Sequence, residues 1–333
     1  MAGFRVDRST RESRWFAGFL VLVFIALATL PYWGGPGDMR LVSEMAYYLA
    51  LAQLWNLLAG YAGLVSVGQQ AFVGLGAYAL FYLTSQFGIH PLVAVALAAP
   101  ITAAISLPMA LAVFRLRGAY FAIGTWVFAE TFALGVSLVT PLGAGSGMSL
   151  TPAIMTQIAP DRAGRELILY WLSLAIVALV CAIVYLLLRS RYGLALTAIR
   201  DSETASDSLG VDTFRTKLTI YVVTAACTGM VGAFIFLQKL RLSPEAGFSV
   251  NDWTVVVIFM VVIGGIGTLE GPIIGMLVYF GLREMLADYG TWYLILLGAV
   301  AVVIMLTARE GLWGLVARRF NLHLFSVRRH LTR

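Results

Sequence analysis

The chain has 333 residues, of which 60% are hydrophobic and only 12% are charged. Soluble domains of this size carry roughly 25% charged residues, and one core of this length could not hide so much apolar surface, so a soluble fold is excluded. The net charge of +6 is concentrated at both ends and in a few loops, which indicates membrane topology and not nucleic-acid binding.

Ten apolar stretches are predicted to form transmembrane helices, which need about 20 mostly apolar residues for a full crossing. No small-residue cleavage site follows the first, so it is predicted to be an uncleaved helix and not a signal peptide. The sequence therefore predicts an all-α, polytopic membrane protein with a basic N-terminus (1–14), a transmembrane domain (15–308) and a basic C-terminal tail (309–333). The predicted spans are 15–32, 41–59, 66–86, 91–114, 119–139, 167–188, 218–238, 253–264, 271–287 and 292–308.

The count of ten depends on the stretch 253–282. As one straight helix it would be about 45 Å long, against a hydrocarbon core of about 30 Å. The run Gly264-Gly-Ile-Gly-Thr-Leu-Glu-Gly-Pro272 interrupts it, and glycine and proline fit poorly inside a helix. Two shorter spans joined by a turn are therefore predicted.

The distribution of basic residues sets the orientation. With ten spans and the N-terminus inside, 17 of the 23 basic residues fall in inside segments. Cytoplasmic loops are the ones rich in Lys and Arg. Nine spans would place the basic tail outside, so both termini are predicted to be cytoplasmic.

The polar segment 189–217 is much longer than the other inside loops, and its pattern predicts two short helices. Leu194, Ala198 and Ile199 would give the first helix an apolar face.

The second helix of this loop is predicted to be capped by Asp201 or Ser202 and ended by Gly210, with Ala205 and Leu209 on its apolar side. A short amphipathic helix at the inner surface can dock into a groove on a partner protein. The alternative is a helix lying on lipid headgroups, but the carboxylates disfavour it because anionic lipids repel them. These carboxylates are Asp201, Glu203, Asp207 and Asp212.

Several classes of site have no signature in the sequence. The two lysines, Lys217 and Lys239, do not follow a Gly-x-x-x-x-Gly run, so no P-loop is predicted. The two cysteines lie in apolar stretches, the three histidines lack metal-ligand spacing, and no nucleophile–base pair stands out. The chain is therefore predicted to be no enzyme and to bind no metal or cofactor itself.

Five glycines, together with amide and hydroxyl side chains, lie at membrane depth between Asn56 and Tyr78. Glycine at this density permits either a broken helix or close helix packing. Both interpretations stay open for Gly74 and Gly76. Packing explains Gln69-Gln70 less well, since buried amides need partners.

The glycine-interrupted stretch 264–275 lies in the other half of the chain. Paired interruptions point to a solute site between internal repeats, of either inverted or parallel type, where helix N-termini could offer free N–H groups to a carboxylate. Glu130 within a span and Glu270 at a break are functional candidates, or else bond neighbouring helices. The pathway candidates are Asn56, Ser66, Gly68, Gln69, Gln70, Glu130, Gly264, Gly265, Gly267, Thr268 and Glu270.

Three passages together resemble the permease subunits of branched-chain amino acid ABC importers of the Liv type, and among them the longer of the two permeases. The likeness covers roughly residues 40–310. The passages are Leu54-Trp-Asn-Leu-Leu-Ala-Gly-Tyr-Ala-Gly63 continuing to Tyr78, Tyr192-Gly-Leu-Ala-Leu-Thr-Ala-Ile-Arg-Asp-Ser-Glu-Thr-Ala205 with Gly210, and Gly264 to Pro272.

The resemblance implies a bacterial inner-membrane permease that moves amino acids inwards as a heterodimer with a second permease. It also implies two cytoplasmic ATP-binding subunits, which would use the ATP, and an extracytoplasmic solute-binding protein. Segment 189–217 would then be the element that couples the permease to the ATPases, and it is called the coupling loop below. Its contact candidates are Ala198, Arg200, Asp201, Glu203, Thr204, Ala205, Leu209 and Gly210.

The chain departs from the family pattern at two places. The coupling loop keeps the spacing to Gly210 but lacks the glutamate of the Glu-Ala-Ala pattern common in importer permeases, and residues 140–147 match the family's Thr-Gly-Gly-x-x-Gly passage only in part. Related permeases carry urea or short amides, so these solutes are alternatives. An ion-coupled secondary transporter is a further alternative, although it would need several membrane carboxylates. The basic tail is expected to contact membrane lipid.

Overall fold

The computed structural model describes residues 5–7, 11–286, 292–307, 310–320, 324–325 and 330–332. In this part of the chain, helices make up almost all of the regular structure. The α-helices are α1 (Arg11–Thr29), α2 (Pro36–Asn56), α3 (Gln69–Phe87), α4 (Pro91–Val113), α5 (Ala119–Leu138), α6 (Pro152–Thr156), α7 (Arg162–Arg189), α8 (Arg191–Asp201), α9 (Glu203–Ser208), α10 (Thr213–Lys239), α11 (Pro244–Gly247), α12 (Val256–Gly264), α13 (Glu270–Met285), α14 (Trp292–Thr307) and α15 (Gly311–Phe320). Leu30–Tyr32 and Thr140–Leu142 form 3-10 turns, and Leu57–Tyr61 and Asn251–Val255 form π-helical turns. The strands are β1 (Arg5–Asp7), β2 (Met148–Ser149), β3 (Arg241–Leu242) and β4 (His330–Thr332).

Each of the ten predicted spans coincides with one helix, and the fold class is confirmed. Two predicted spans end at residues 287 and 308, which lie outside the described residues. Among the described residues, five helical stretches are long and apolar enough by themselves to cross a membrane. These are Pro91–Val113, Ala119–Leu138, Arg162–Arg189, Thr213–Lys239 and Pro244–Gly264.

Helices α3, α4 and α10 cross closely at small residues. A Cβ on Gly76 would collide with the backbone of Gly229, and one on Gly232 would lie 2.6 Å from the Cα of Val73. Small residues let helix backbones approach closely. The resulting van der Waals packing stabilises helix association in lipid, where no hydrophobic driving force acts between helices. Close packing is thus the role of Gly76, and Gly74 faces the ring of Phe248 in the same way.

The two ends of the described chain lie side by side. Strand β1 pairs antiparallel with β4, so that Arg5 is opposite Thr332. An even number of crossings brings the termini to the same side of a membrane, as this pairing requires. Parts of the basic tail, including His323, Arg328 and Arg329, lie outside the described residues.

At the other end, β2 pairs with β3 and ties the segment after α5 to the end of α10. Gly143, Gly145 and Gly147 have positive φ angles in the turn that precedes β2. This tight turn occupies the position of the passage that matches the family pattern only in part.

Candidate translocation and coupling site

Two interruptions of the helices lie in direct contact. The first break is residues 57–68, between α2 and α3, and the second break is residues 265–269, between α12 and α13. The buried side chain of Asn56 joins them: its Nδ2 donates to the Thr268 carbonyl at 2.7 Å, and its Oδ1 accepts from the Gly267 amide at 2.8 Å. The amide side chain thus pairs backbone groups that a break leaves without helical partners.

Further contacts hold the two breaks together in this region, which is called the junction below. Gln53 Nε2 donates to the Leu269 carbonyl at 2.8 Å, but its Oε1 has no partner among the described residues. The first break also approaches the second through Gly60, where a Cβ would lie 2.5 Å from the Gly267 nitrogen. Only glycine at position 60 allows the two backbones to come this close.

The first break continues as a non-helical segment, residues 62–68, which lies beside α2. Trp55 Nε1 donates to the Ser66 carbonyl at 2.7 Å, and Gln69 Nε2 donates to the Leu51 carbonyl at 3.0 Å. Trp55 and Leu51 both belong to α2, so this non-helical backbone lies beside the last third of that helix. Irregular backbone is tolerated at such a depth only where protein or a water-filled cavity surrounds it.

One side of this segment is sealed against protein and the other is open. Ser66 and Gly68 are buried, and the Val67 amide donates to Thr125 Oγ1 on α5 at 3.1 Å. By contrast, Gly63 is exposed and Val65 is 47% exposed. Buried and exposed residues alternate along this segment, so every second residue lies on a surface that the described part of the chain leaves uncovered.

Gln70 lies on the side of α3 that faces the π-helical turn before α12. Its Oε1 accepts a hydrogen bond from Thr254 Oγ1, and its backbone amide donates to the same hydroxyl at 3.3 Å. The Gln70 side chain is fully buried, and its Nε2 has no partner among the described residues. Gln69 and Gln70 are therefore bonded to two different helices, which explains why amides occur here.

The start of α13 is occupied by the chain's own groups. Thr268 Oγ1 accepts from the Gly271 amide at 3.0 Å, and Pro272 has no N–H. Glu270 is buried in the first turn, where its Oε1 accepts from the Phe325 amide at 3.1 Å. At this helix start the Thr268 hydroxyl caps the Gly271 amide and Glu270 adds a negative charge, so fewer N–H groups are left for a solute carboxylate than at an uncapped helix.

The second break also packs against the C-terminal tail. A Cβ on Gly311, at the start of α15, would lie 2.5 Å from the Gly265 nitrogen, and Trp313 on the same helix is buried. Gly264 approaches Gly271 across the turn so closely that neither tolerates a side chain. Gly264 and Gly265 thus act in backbone packing.

Glu130 lies apart from the two breaks, on an exposed side of α5. Its carboxylate accepts from Trp126 Nε1 of the same helix at 3.0 Å, and both side chains are exposed. A carboxylate in the middle of a transmembrane helix is costly in lipid and marks an interior or wet surface. Of the predicted pathway residues, Glu130 alone is not brought to the junction region.

The coupling loop has the predicted two helices, α8 and α9. Ser202 caps α9, its Oγ accepting from the Ala205 amide at 3.3 Å, and Gly210 follows with a φ of +83°. The predicted apolar face of α8 is wrong in part: Gly193 and Leu196 are buried with Ile199, while Leu194 is exposed. The cause is the tight turn from α7, which places Gly193 against the Leu188 backbone.

One contact attaches the coupling loop to the first break, and another lies within the loop, between α9 and the start of α10. Arg200 Nη1 donates to the Gly60 carbonyl in the first break at 3.0 Å, and Lys217 Nζ pairs with Glu203 at 2.7 Å. On the other side of α9, Ala205 is exposed and Leu209 is 82% exposed. The loop is therefore fixed along one side and presents an apolar side chain on the other.

The family is decided by a match along most of the chain. The profile of the family described as "Branched-chain amino acid transport system / permease component" matches residues 39–307. The chain belongs to this family.

Individual relatives agree with this assignment. The permease is 27% identical to the high-affinity branched-chain amino acid transport system permease protein LivM of Salmonella typhimurium and 26% identical to that of Escherichia coli, in each case over 92% of this chain and 76% of the relative. It is 23% identical to the probable branched-chain amino acid transport permease protein LivH of Methanocaldococcus jannaschii, over 72% of this chain and 78% of that protein. No solved structure matches the chain.

Sequence reasoning missed some residues of this permease that hold the site together. Gly60, Gln53 and Thr125 bond or abut the breaks, and Thr254 bonds Gln70 just after the first break. Their only local signal is a polar or small residue inside an apolar run, which many structural positions share. The ion pair between Lys217 and Glu203 had a weak signal in the sequence, because Lys217 is one of only two lysines.

Proposed function

We propose that the chain is a membrane subunit of an ATP-driven importer that carries branched-chain amino acids into the bacterial cytoplasm. The family assignment and the names of the relatives support the solute class and the multi-subunit organisation. The second permease would be a LivH-like chain, and the ATP would be bound by two cytoplasmic subunits. A solute-binding protein would deliver the amino acid on the opposite side of the inner membrane.

The single observation that carries the proposal is the arrangement of the coupling loop. A loop that is anchored on one side and exposes an apolar residue on the other has the geometry of a docking element. Its anchored side meets the two breaks, where helices lack continuous hydrogen-bond ladders and can change direction. Movement of a docked ATPase subunit would therefore be transmitted to the two breaks, the part of the permease that deforms most easily.

The proposed solute path runs along the open side of the first break and the exposed side of α5. Val65 and Glu130 lie on these surfaces, which lipid would suit poorly because one exposes irregular backbone and the other a carboxylate. The second permease subunit would close this surface into a channel. The mechanism is alternating access, in which ATP-driven movement of the coupling loop rocks the helices at the breaks.

A charged substitution at Leu209 tests the docking role. We expect Leu209→Glu to reduce co-purification of the ATPase subunits and ATP-dependent uptake of labelled leucine by about tenfold or more, since a carboxylate cannot enter an apolar groove without losing its hydration. Because the side chain is 82% exposed, the folded permease should keep its stability.

The matched control is Leu138→Glu, which makes the same change at a side chain that is 84% exposed at the far end of α5. This variant should retain the ATPase subunits. Equal co-purification of both variants would remove the docking role. Uptake by the isolated chain under an ion gradient would instead favour a secondary transporter, and competition by urea but not leucine would change the solute class.

A further inference from the structure

The contact between Arg200 and the first break joins the moving loop to the site of helix interruption. Arg200 Nη1 donates to the Gly60 carbonyl at 3.0 Å, and a Cβ on Gly267 of the second break would lie 3.3 Å from the same nitrogen. One guanidinium thus reaches both breaks at the point where they cross. Arg200 is therefore a side chain of the coupling loop that donates a hydrogen bond into the first break.

The Gly60 carbonyl is a group that needs such a donor. It belongs to the π-helical turn that ends at Tyr61, and the last carbonyls of a helix have no partner within it. Gly60 is buried, so water does not readily replace the missing partner. A charged donor makes a stronger hydrogen bond than a neutral one, and its loss leaves the acceptor unsatisfied.

The ordinary role for Arg200 would be an ion pair at the surface. Its Nε lies 3.5 Å from Asp201 Oδ1, and the two side chains are 42% and 73% exposed. Such exposed pairs contribute little because solvent screens them. The contact with a buried carbonyl, 140 residues away in sequence, is therefore the interaction that distinguishes this arginine.

Helix α8 holds Arg200 in a fixed position relative to the loop. Leu196 and Ile199 are buried on the side of α8 that faces the transmembrane helices, and the Glu203–Lys217 pair fixes the start of α9. A displacement of the loop would consequently move the guanidinium as part of a rigid helix. It would either pull on the Gly60 carbonyl or release it.

We propose that Arg200 is the residue that transmits movement of the coupling loop to the crossed breaks, by holding the Gly60 carbonyl in one conformation of the transporter and releasing it in the other. Arg200 is a positioning residue and does not contact the solute. The inference rests on the proposed function, because it requires ATPase subunits that move the loop.

The experiment compares Arg200→Ala, Arg200→Lys and wild type in the complete complex reconstituted in liposomes. Both ATP hydrolysis and leucine uptake are measured, and their ratio gives the ATP used per solute moved. We expect Arg200→Ala to lower leucine uptake per ATP hydrolysed by about tenfold, within the usual range of coupling between sites. Arg200→Lys, which keeps a charged donor, should recover part of this loss.

Arg117→Ala is the control, since it removes an exposed guanidinium from a different loop, and it should leave the ratio unchanged. An unaltered ratio in Arg200→Ala would overturn the proposal. So would loss of the ATPase subunits in parallel with uptake, because Arg200 would then act in docking, as proposed for Leu209. Absence of ATP-dependent uptake in the wild-type complex would instead contradict the proposed function itself. If Arg200→Ala does not fold, Arg200→Lys is tested in its place. A wild-type ratio of uptake to ATP hydrolysis in Arg200→Lys would then overturn the proposal, because Arg200 would act in folding.

Discussion

Replacing Asn56 by leucine removes the side chain that ties the two breaks together. The side chain is fully buried, and leucine has nearly the same shape, so little cavity or clash is expected. The change abolishes two hydrogen bonds and strands the Gly267 amide and the Thr268 carbonyl. An unsatisfied group costs about 1–3 kcal/mol when it is fully buried. Gly267 and Thr268 are half-buried, so the lower part of this range applies, and Asn56→Leu should lower the free energy of unfolding by about 2–4 kcal/mol.

Gln53→Met provides a matched comparison in the same junction. It loses one hydrogen bond and strands the Leu269 carbonyl, but it also removes the Gln53 Oε1 atom that has no partner among the described residues. The two effects partly offset each other, so the expected loss is about 0–2 kcal/mol. Side-chain hydrogen bonds between transmembrane helices average about 0.6 kcal/mol, and Asn56 should exceed this value because backbone groups are stranded.

The assay is reversible unfolding in mixed micelles of increasing dodecyl sulfate fraction, followed by tryptophan fluorescence. Asn56→Leu should unfold at a clearly lower dodecyl sulfate fraction than Gln53→Met. Equal midpoints for the two variants would refute the reasoning, since they would mean that Asn56 does not satisfy groups that otherwise remain unpaired.

Two further predictions concern the helix crossing and the open side of the first break. Gly76→Ala should reduce the yield of monodisperse protein severalfold, because its Cβ would collide with the Gly229 backbone, whereas Gly281→Ala should not, since nothing lies within 4 Å of its Cβ; size-exclusion chromatography measures both, and equal yields would contradict the close crossing. In a variant without the native cysteines, Val65→Cys should react with a membrane-impermeant thiol reagent at least about tenfold faster than Ser66→Cys, because the side chains are 47% and 3% exposed. Similar labelling rates in the assembled transporter would show that Val65 does not line an aqueous path.

Local features of the sequence were sufficient to place the elements of the site. Gly264 to Pro272 predicted a turn between two short helices because glycine and proline disfavour a continuous helix wherever they occur. Asp201 or Ser202 predicted the start of α9, because a side chain that caps a helix acts on an amide two or three residues away, and the structure selects Ser202. The apolar face of α8 was predicted less well, since the turn from α7 and not the periodicity decides which side is buried.

Partners in the site could not be predicted from the sequence. Glu130 was a candidate by its position in a span, yet nothing local separates an exposed carboxylate on α5 from one at the junction. Gly60 carried no signal of its role, because its contacts with Arg200 and Gly267 use its carbonyl and its missing side chain. Every residue has a carbonyl, so this kind of contact leaves little trace in composition.

The sequence by itself determined the class of the protein, the position of nearly every span, the two interruptions and the two-helix coupling loop. Each of these follows from hydrophobicity, glycine, proline or a capping residue within one or two helical turns. Only the tertiary structure decided that Asn56 bonds backbone groups 211 and 212 residues away, and that Arg200 reaches a carbonyl across 140 residues. The physical reason is that a stranded backbone N–H or C=O forms a hydrogen bond with any suitable partner that packing brings within about 3 Å, and packing is a property of the whole chain.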